Sequence, residues 1–182
     1  MFTSERMTAV IALAVLTAAC ATTDSGSPVP TTGPNLGRIA TAQEVAAWDI
    51  SIPPSGEGLP KGSGTAKQGE AVYVARCQAC HGAKGVGKPA DVLVGGVGSV
   101  ASDKPVSTVG SYWPYATTLF DYTRRSMPAT KPLSLTNDEV YAVTAYVLYL
   151  NGIIGESAEM NATTLPQVKM PNRDGFIDMS RK

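Results

Sequence analysis

The chain has 182 residues with 15 basic and 15 acidic side chains, so its formal net charge is zero. This balance gives no indication of binding to nucleic acid or to an acidic substrate. Only 16% of the residues are charged, whereas Gly and Pro number 18 and 13, which predicts one small domain with long loops wrapped around something other than its own side chains.

The first 19 residues are typical of an export signal. Thr8 to Ala18 is an unbroken run of apolar and small residues that is too short to span a membrane. Leu16 to Cys20 resembles a bacterial lipobox, in which the cysteine becomes the lipidated first residue of the mature protein. The alternative is an ordinary signal peptide that is cleaved nearby, with Cys20 as a bystander. Both interpretations place the mature domain outside the cytoplasm.

Two segments separate this signal from the first long helix. Residues 20–38 are rich in Thr, Ser, Gly and Pro and are predicted to be a flexible tether. Residues 39–64 are predicted to form an N-terminal arm. Within the arm, the capping-box pattern Thr41 to Glu44 opens a short helix that extends to about Asp49, and an extended stretch rich in Pro and Gly follows.

A domain is predicted over residues 65–155, and its first helix opens with the capping-box pattern Thr65 to Gln68. No Pro interrupts the run up to His81, so the helix is predicted to continue to that residue and to end at Gly82. Three residues recur every fourth position and therefore share one face of the helix: Gly69, Tyr73 and Cys77.

The most informative motif lies at the end of this helix. Cys77-Gln78-Ala79-Cys80-His81 is a C-x-x-C-H sequence, the attachment site of c-type haem, and it uses the only His and two of the three Cys. The thiols of Cys77 and Cys80 would form thioethers with one porphyrin, and the imidazole of His81 would ligate the iron. A zinc site would need a fourth ligand, for which only Cys20 remains. A thioredoxin-like redox pair would need a parallel βαβ context, which the surrounding sequence does not suggest. We therefore expect one haem c.

The segment from Gly82 to Gly110 contains many glycines and no long periodic pattern. It is either a flexible loop or a loop whose backbone approaches a flat cofactor closely, which glycine permits. Pro89 or a nearby carbonyl is expected to accept a hydrogen bond from the free N–H of His81 and so to fix the imidazole.

Two further helices are predicted. Pro114 fits the first position of one that extends to about Ser126, where Met127 ends it because a residue before proline avoids the helical conformation. The capping box Thr136 to Glu139 opens the other, which Asn151-Gly152 ends. Its predicted apolar stripe consists of Val140, Val143, Tyr146, Val147 and Leu150. Residues 156–182 are predicted to be a mostly irregular C-terminal arm.

The second ligand of the iron cannot be another imidazole of this chain, which has one His. The usual partner is a Met thioether, which raises the reduction potential. Met127 lies in the loop between the last two helices, where it could close over the far face of the porphyrin. Met170, in the tail, is the alternative, and a packing role is the other interpretation of any single Met.

The order of these residues resembles the class I c-type cytochromes. The helix that carries Gly69, Tyr73 and the C-x-x-C-H motif, the Met127 loop, and a last helix with Val143 and Tyr146 follow that family's order. The resemblance implies an all-α fold, a small helical domain wrapped around one covalently attached haem, here with extended N- and C-terminal arms. It also implies that the first and last helices cross.

A narrower resemblance covers most of the predicted mature chain. The blocks 39–50, 58–64, 112–122, 124–128 and 168–176 are similar to the sulfur-oxidation cytochrome subunit called SoxD and its sulfite dehydrogenase relatives. Such subunits take electrons from a molybdenum-cofactor partner that oxidises sulfite or protein-bound sulfane sulfur. Some members carry two haems, whereas this chain has one attachment motif. The resemblance implies a non-catalytic haem subunit that passes electrons on to a cytochrome c or a terminal oxidase.

Other interpretations remain open at this point. A general periplasmic or membrane-tethered electron carrier would have no dedicated dehydrogenase, and a haem enzyme or gas sensor would have an open iron site. The arms Ile39 to Gly64 and Leu165 to Phe176 are expected to contact the partner, or else to cover the apolar surface of the domain itself. Four residues are candidates to hold the haem propionates, or simply to pack: Tyr112, Trp113, Arg124 and Arg125.

Overall fold

Three of the five α-helices in the described part of the chain begin with a capping box. The structure is a computed structural model that describes residues 37–177 and 179, so the predicted signal, most of the predicted tether and Cys20 lie outside the described residues. By its internal contacts the chain separates into two units, Met1–Val45 and Ala46–Lys182. Within the described residues, no helix is both long enough and apolar enough to cross a membrane.

Helix α1, Ala42–Trp48, forms where the sequence predicts it. The Thr41 amide donates to the Glu44 carboxylate at 2.8 Å, and the Glu44 amide donates to the Thr41 hydroxyl at 3.3 Å. Arg38 pairs with Glu44, and this pair together with the Thr41 hydrogen bonds lowers the pKa of Glu44 to about 2. None of the seven residues of α1 is buried.

The predicted helix from Thr65 to His81 is interrupted at Cys77. Helix α2 is Ala66–Arg76, α3 is Gln78–His81, and Cys77 between them has φ −120° and ψ −36°. The amides of Cys80 and His81 both donate to the Cys77 carbonyl, at 3.1 and 2.9 Å, which closes the turn more tightly than a continuous α-helix would. Gly82 ends α3 with φ +72°, a conformation that favours glycine.

Helix α4, Ala116–Ser126, begins two residues later than predicted. Tyr115 is extended, with φ −138° and ψ 132°, so Pro114 precedes the helix instead of occupying its first position. Met127 ends α4 in an extended conformation, as expected of a residue that precedes proline.

Helix α5, Asn137–Leu150, is buried on all sides instead of along one stripe. Every residue from Val140 to Leu148 is buried, which no single apolar face would produce. Its capping box forms as predicted, with the Thr136 amide donating to the Glu139 carboxylate at 2.7 Å.

Helices α2 and α5 pack at very short range through Gly69. A β-carbon at Gly69 would collide with the carbonyl of Ala142 and would lie 2.8 Å from the β-carbon of Tyr146. One turn later the rings of Tyr73 and Tyr146 lie 5.3 Å apart. A helical glycine costs about 1 kcal/mol relative to alanine, and this close approach explains why α2 carries one.

The N- and C-terminal arms meet in a two-stranded sheet that the sequence did not predict. Strand β1, Ser63–Thr65, pairs antiparallel with β2, Glu159–Asn161. Five side chains of the arms are buried in the same hydrophobic core as α5: Ile52, Met160, Leu165, Val168 and Met170. Much of both arms is therefore part of the domain's own packing.

A second set of contacts fixes the N-terminal arm to α4. The Ile52 amide donates to the Asp121 carboxylate at 2.8 Å, and the Thr117 hydroxyl donates to the Pro54 carbonyl at 3.1 Å. Arg124 donates to the Ile50 carbonyl at 3.3 Å. The arm thus runs along the helix whose last residue precedes Met127.

Candidate functional site

A cavity of about 400 Å³ lies at the end of α2, within the size range of ligand pockets in proteins. The C-x-x-C-H motif provides one part of its lining through Cys77, Cys80 and His81, and Met127 after α4 provides another. The helix crossing contributes Val143 and Val147 of α5. Cys77 and Met127 are 50 positions apart in the sequence, and the fold brings these predicted haem-site residues to one cavity.

The imidazole of His81 is held by the loop that follows the motif. Its Nδ1 lies 2.9 Å from the carbonyl oxygen of Asp91. A carbonyl can only accept a hydrogen bond, so Nδ1 carries the proton and Nε2 keeps a lone pair for a metal. The sequence predicted an acceptor at Pro89 or a nearby carbonyl, and the structure places it at Asp91.

The motif itself is fixed by backbone hydrogen bonds. The amide of Gly87 donates to the His81 carbonyl and the amide of Ala90 donates to the Cys80 carbonyl, both at 2.8 Å. The buried hydroxyl of Tyr73 donates to the carbonyl of Gly82 at 2.9 Å, and burial raises the pKa of Tyr73 to about 12. These bonds hold the turn after the motif from both sides.

Cys77 and Cys80 form no disulfide with each other, and Cys77 is half-buried whereas Cys80 is exposed. Burial, with a smaller contribution from Cys80, raises the pKa of Cys77 to about 11. A redox-active cysteine pair needs a lowered thiol pKa, so this environment does not favour that chemistry. In residues 37–177, no group of three or more His, Cys, Asp or Glu side chains is arranged to hold a metal ion. The raised pKa of Cys77 therefore argues against the redox-pair interpretation of the motif.

The two candidate methionines occupy different places. Met127 lines the cavity, whereas Met170 is 3% exposed and packs in the hydrophobic core without lining the cavity. A thioether that faces the same space as an imidazole is the ligand pair typical of low-spin haem.

The four candidate propionate residues are divided by the structure. Trp113 lines the cavity, with its ring edge-on to Tyr122 at 5.7 Å. Tyr112 lies outside the lining and packs its ring against Phe176. Arg124 and Arg125 also lie outside it: Arg124 donates to Ile50, and Arg125 pairs with Asp121. The propionate role of these side chains stays a prediction.

Two features of the site were missed from the sequence. The first is the pair Thr108 and Ser111, whose side chains are both buried. The Thr108 amide donates a hydrogen bond to the Ser111 hydroxyl at 2.8 Å. Asn151 was interpreted only as a helix end, yet its side chain bonds to the loop that lines the cavity. The acceptor for His81 was predicted only as Pro89 or a nearby carbonyl, because residue type does not reveal which backbone carbonyl acts.

The residues present fit a haem. The imidazole and thioether are its usual axial ligands, two thiols stand at the spacing for thioether attachment, and the cavity is large enough for a sizeable ligand. Thr144 also lines the cavity, and its buried hydroxyl has no hydrogen-bond partner within the part of the chain that the structure describes. Buried polar groups are rarely left unpaired in folded proteins, so an orphan here agrees with a site completed by a bound group.

The fold and the site define a c-type cytochrome. Residues 64–147 match the family model described as cytochrome c oxidase, cbb3-type, subunit III. A chain in the crystal structure of the sulfane dehydrogenase SoxCD from Paracoccus pantotrophus is 41% identical, with a TM-score of 0.75, and the match covers 82% of this chain and 74% of that chain. No protein with a curated description matches the chain.

The chain therefore belongs to the class I c-type cytochromes and resembles the SoxD and sulfite dehydrogenase cytochrome subunit family, as the sequence predicted. The fold class is confirmed as well, with the two-stranded sheet as an addition. Membership of this family implies a covalently bound haem c and an electron-carrying role.

Proposed function

We propose that this protein carries electrons with a single haem c, held by thioethers from Cys77 and Cys80 and ligated by His81 and Met127. The observation that supports this most directly is the cavity that all four side chains line. The count of one haem follows from the single C-x-x-C-H motif of the chain.

In this proposal the haem supplies one-electron chemistry, and the protein supplies binding and orientation. The bond from His81 Nδ1 to Asp91 fixes the ring and directs Nε2 towards the site. The apolar side chains of α5 that line the cavity would exclude water from a bound haem, which would disfavour the charged oxidised state. With Met127 as the sixth ligand, no position at the iron would remain open for a substrate, so we propose that the protein is a non-catalytic subunit.

We further propose that the electrons come from a molybdenum-cofactor dehydrogenase that oxidises sulfite or protein-bound sulfane sulfur, and that they pass to a cytochrome c or terminal oxidase of the respiratory chain. The support is the 41% identity with a chain of a sulfane dehydrogenase over 82% of this chain.

The location is proposed from the sequence alone. We propose that the protein works in the periplasm, anchored to the membrane by a lipid on Cys20. Intact mass of the protein from the membrane fraction tests this, and a mature chain that starts at another residue without added acyl mass would contradict it.

Rapid mixing tests the electron-transfer role. The purified haem protein, mixed with a molybdenum-cofactor sulfite or sulfane dehydrogenase and its sulfur substrate, should be reduced within the turnover time of that dehydrogenase. An unrelated class I cytochrome of similar potential is the matched control. Equal rates for the two proteins would favour a general electron carrier without a dedicated dehydrogenase.

A further inference from the structure

One side chain connects the end of α5 to the loop that lines the haem cavity. Asn151, the residue after α5, accepts a hydrogen bond from the Gly95 amide at 3.0 Å through Oδ1. Its Nδ2 donates to the Leu93 carbonyl at 3.1 Å and to the Val147 carbonyl at 2.9 Å. Both ends of the amide are therefore used, and the side chain joins a buried helix to segment 93–95.

Two further hydrogen bonds, from residues 108 and 109, hold the same loop. The Val109 amide donates to the Leu93 carbonyl at 3.3 Å, and the Thr108 hydroxyl donates to the Gly95 carbonyl at 2.6 Å. Gly110 lies so close to Asn151 that a β-carbon there would be 2.8 Å from the Asn151 Cγ. Asn151 thus fills the space between two stretches of the loop and leaves neither free to shift.

Segment 93–95 is attached to the imidazole by a very short path. Asp91, whose carbonyl accepts from His81 Nδ1, lies two residues before Leu93. Two residues of chain span at most about 7 Å. A displacement of Leu93 would therefore also move Asp91 or Val92, the residue between them. Asp91 is exposed. It lies between Ala90, whose amide donates to the Cys80 carbonyl, and Leu93, whose amide donates to the Gly85 carbonyl at 2.9 Å, so Leu93 fixes the side of Asp91 that faces away from the motif.

We propose that Asn151 is a positioning residue that sets the hydrogen bond between His81 and Asp91 and, through it, the reduction potential. This inference rests on the proposed function, in which His81 ligates the haem iron. A hydrogen bond from the free N–H of a metal-bound imidazole raises the basicity of the ligand. A more basic imidazole gives more electron density to the iron and so stabilises its oxidised state. Weakening the hydrogen bond between His81 and Asp91 is therefore expected to raise the reduction potential.

The test compares variants at the two ends of the same helix. Asn151→Ala is an uncharged variant that removes the acceptor for Gly95 and the donor to Leu93 and Val147, and Asn151→Ser is a second uncharged variant. Asn137→Ala is the matched control, because Asn137 begins α5 and makes one side-chain bond, to the Lys61 carbonyl at 3.2 Å. Three quantities are measured on the haem-loaded proteins: the reduction potential, the exchange rate of the His81 Nδ1 proton by NMR, and thermal stability.

We expect both Asn151 variants to raise the potential and to speed Nδ1 proton exchange about tenfold, the factor for a hydrogen bond weakened by about 1.4 kcal/mol. Asn137→Ala should lower the thermal stability but leave the reduction potential and the Nδ1 proton exchange rate unchanged. An unchanged potential and exchange rate in the Asn151 variants overturns the inference. So does failure of both variants to fold while Asn137→Ala folds, because Asn151 would then be a general structural residue. A wild-type protein without a low-spin haem spectrum would instead refute the proposed function.

Discussion

At the scale of single residues, the chemistry of the site depends on which atom of each side chain faces the cavity. The Asp91 carbonyl fixes the protonated nitrogen of His81, so the other nitrogen keeps a lone pair that could bind a metal. Met127 is the one methionine of the described residues that lines the cavity, because the proline after it ends α4 and turns the chain. Position, more than residue type, separates Met127 from Met170.

Replacing Met127 tests the assignment of the sixth ligand. Met127→Ala should remove the thioether-to-iron charge-transfer absorption of the oxidised protein and lower its reduction potential, since a Met ligand raises the potential. The measurements are the visible spectrum and a redox titration.

Met170→Ala is the matched control. It removes a buried side chain of the core, so it should lower the free energy of unfolding by about 2–5 kcal/mol and leave the spectrum and potential unchanged. The reverse result would transfer the ligand role to Met170.

The residues of the site that could be predicted from the sequence are those whose chemistry is carried by their side chains at a fixed spacing. Cys77, Cys80 and His81 lie within five positions, and the scarcity of other ligands directed attention to Met127. Asp91 acts through a carbonyl that every residue possesses, and Asn151 acts across 58 positions, on Leu93. Contacts of this kind depend on how the loop folds back, which local patterns do not encode.

At the scale of elements, α4 joins the N-terminal arm to the Met127 loop. Asp121 is its buried carboxylate, and it accepts from the Ile52 amide and pairs with Arg125. Burial is the largest single influence and acts to raise the pKa of Asp121. The hydrogen bonds from Arg125 and Ile52, with the charges of Arg125 and Arg124, outweigh it, so the pKa lies below its ordinary value.

Acid should therefore weaken the attachment of the arm. An unfolded Asp titrates at about pH 3.9, and because the folded pKa is lower, the unfolded chain binds more protons as the pH falls through this range. The stabilisation by Asp121 is fully present above about pH 5 and is lost at lower pH. The free energies of unfolding of the wild type and of Asp121→Asn should differ most at neutral pH and converge in acid. Asp103→Asn, at an exposed carboxyl, is the control and should show no such convergence.

Local sequence patterns predicted where the helices begin, whereas long-range packing determines where a helix breaks and which of its sides are buried. The capping boxes at Thr41, Thr65 and Thr136 form as predicted because the bonds join residues only three apart. The break at Cys77 and the pairing of β1 with β2 depend on partners elsewhere in the chain. The burial of α5 on all sides likewise reflects the arms that cover it, which its own periodicity cannot show.

At the scale of the whole molecule, some parts of the two arms are buried in the core and others are exposed. Ile52, Leu165, Val168 and Met170 are buried in the core, so these parts of the arms cover the domain's own apolar surface. Helix α1 has no buried residue, and its Trp48 is 87% exposed. A large exposed aromatic side chain on a helix with no role in the core is typical of an anchor at a protein interface. Under the proposed function, we therefore expect α1 to provide the partner contacts of the N-terminal arm.

Deletion of residues 37–48 should separate docking from folding. The shortened protein should keep its haem content and its thermal midpoint, since no residue of α1 is buried. Its reduction by the dehydrogenase should slow by more than about tenfold, because an aromatic anchor commonly contributes about 2 kcal/mol or more to an interface. Trp48→Ala should produce most of this effect, whereas Val97→Ala, at another exposed apolar residue, should have none. Reduction at the wild-type rate in the deletion variant would remove α1 from the docking surface. A lowered thermal midpoint would show instead that α1 stabilises the domain.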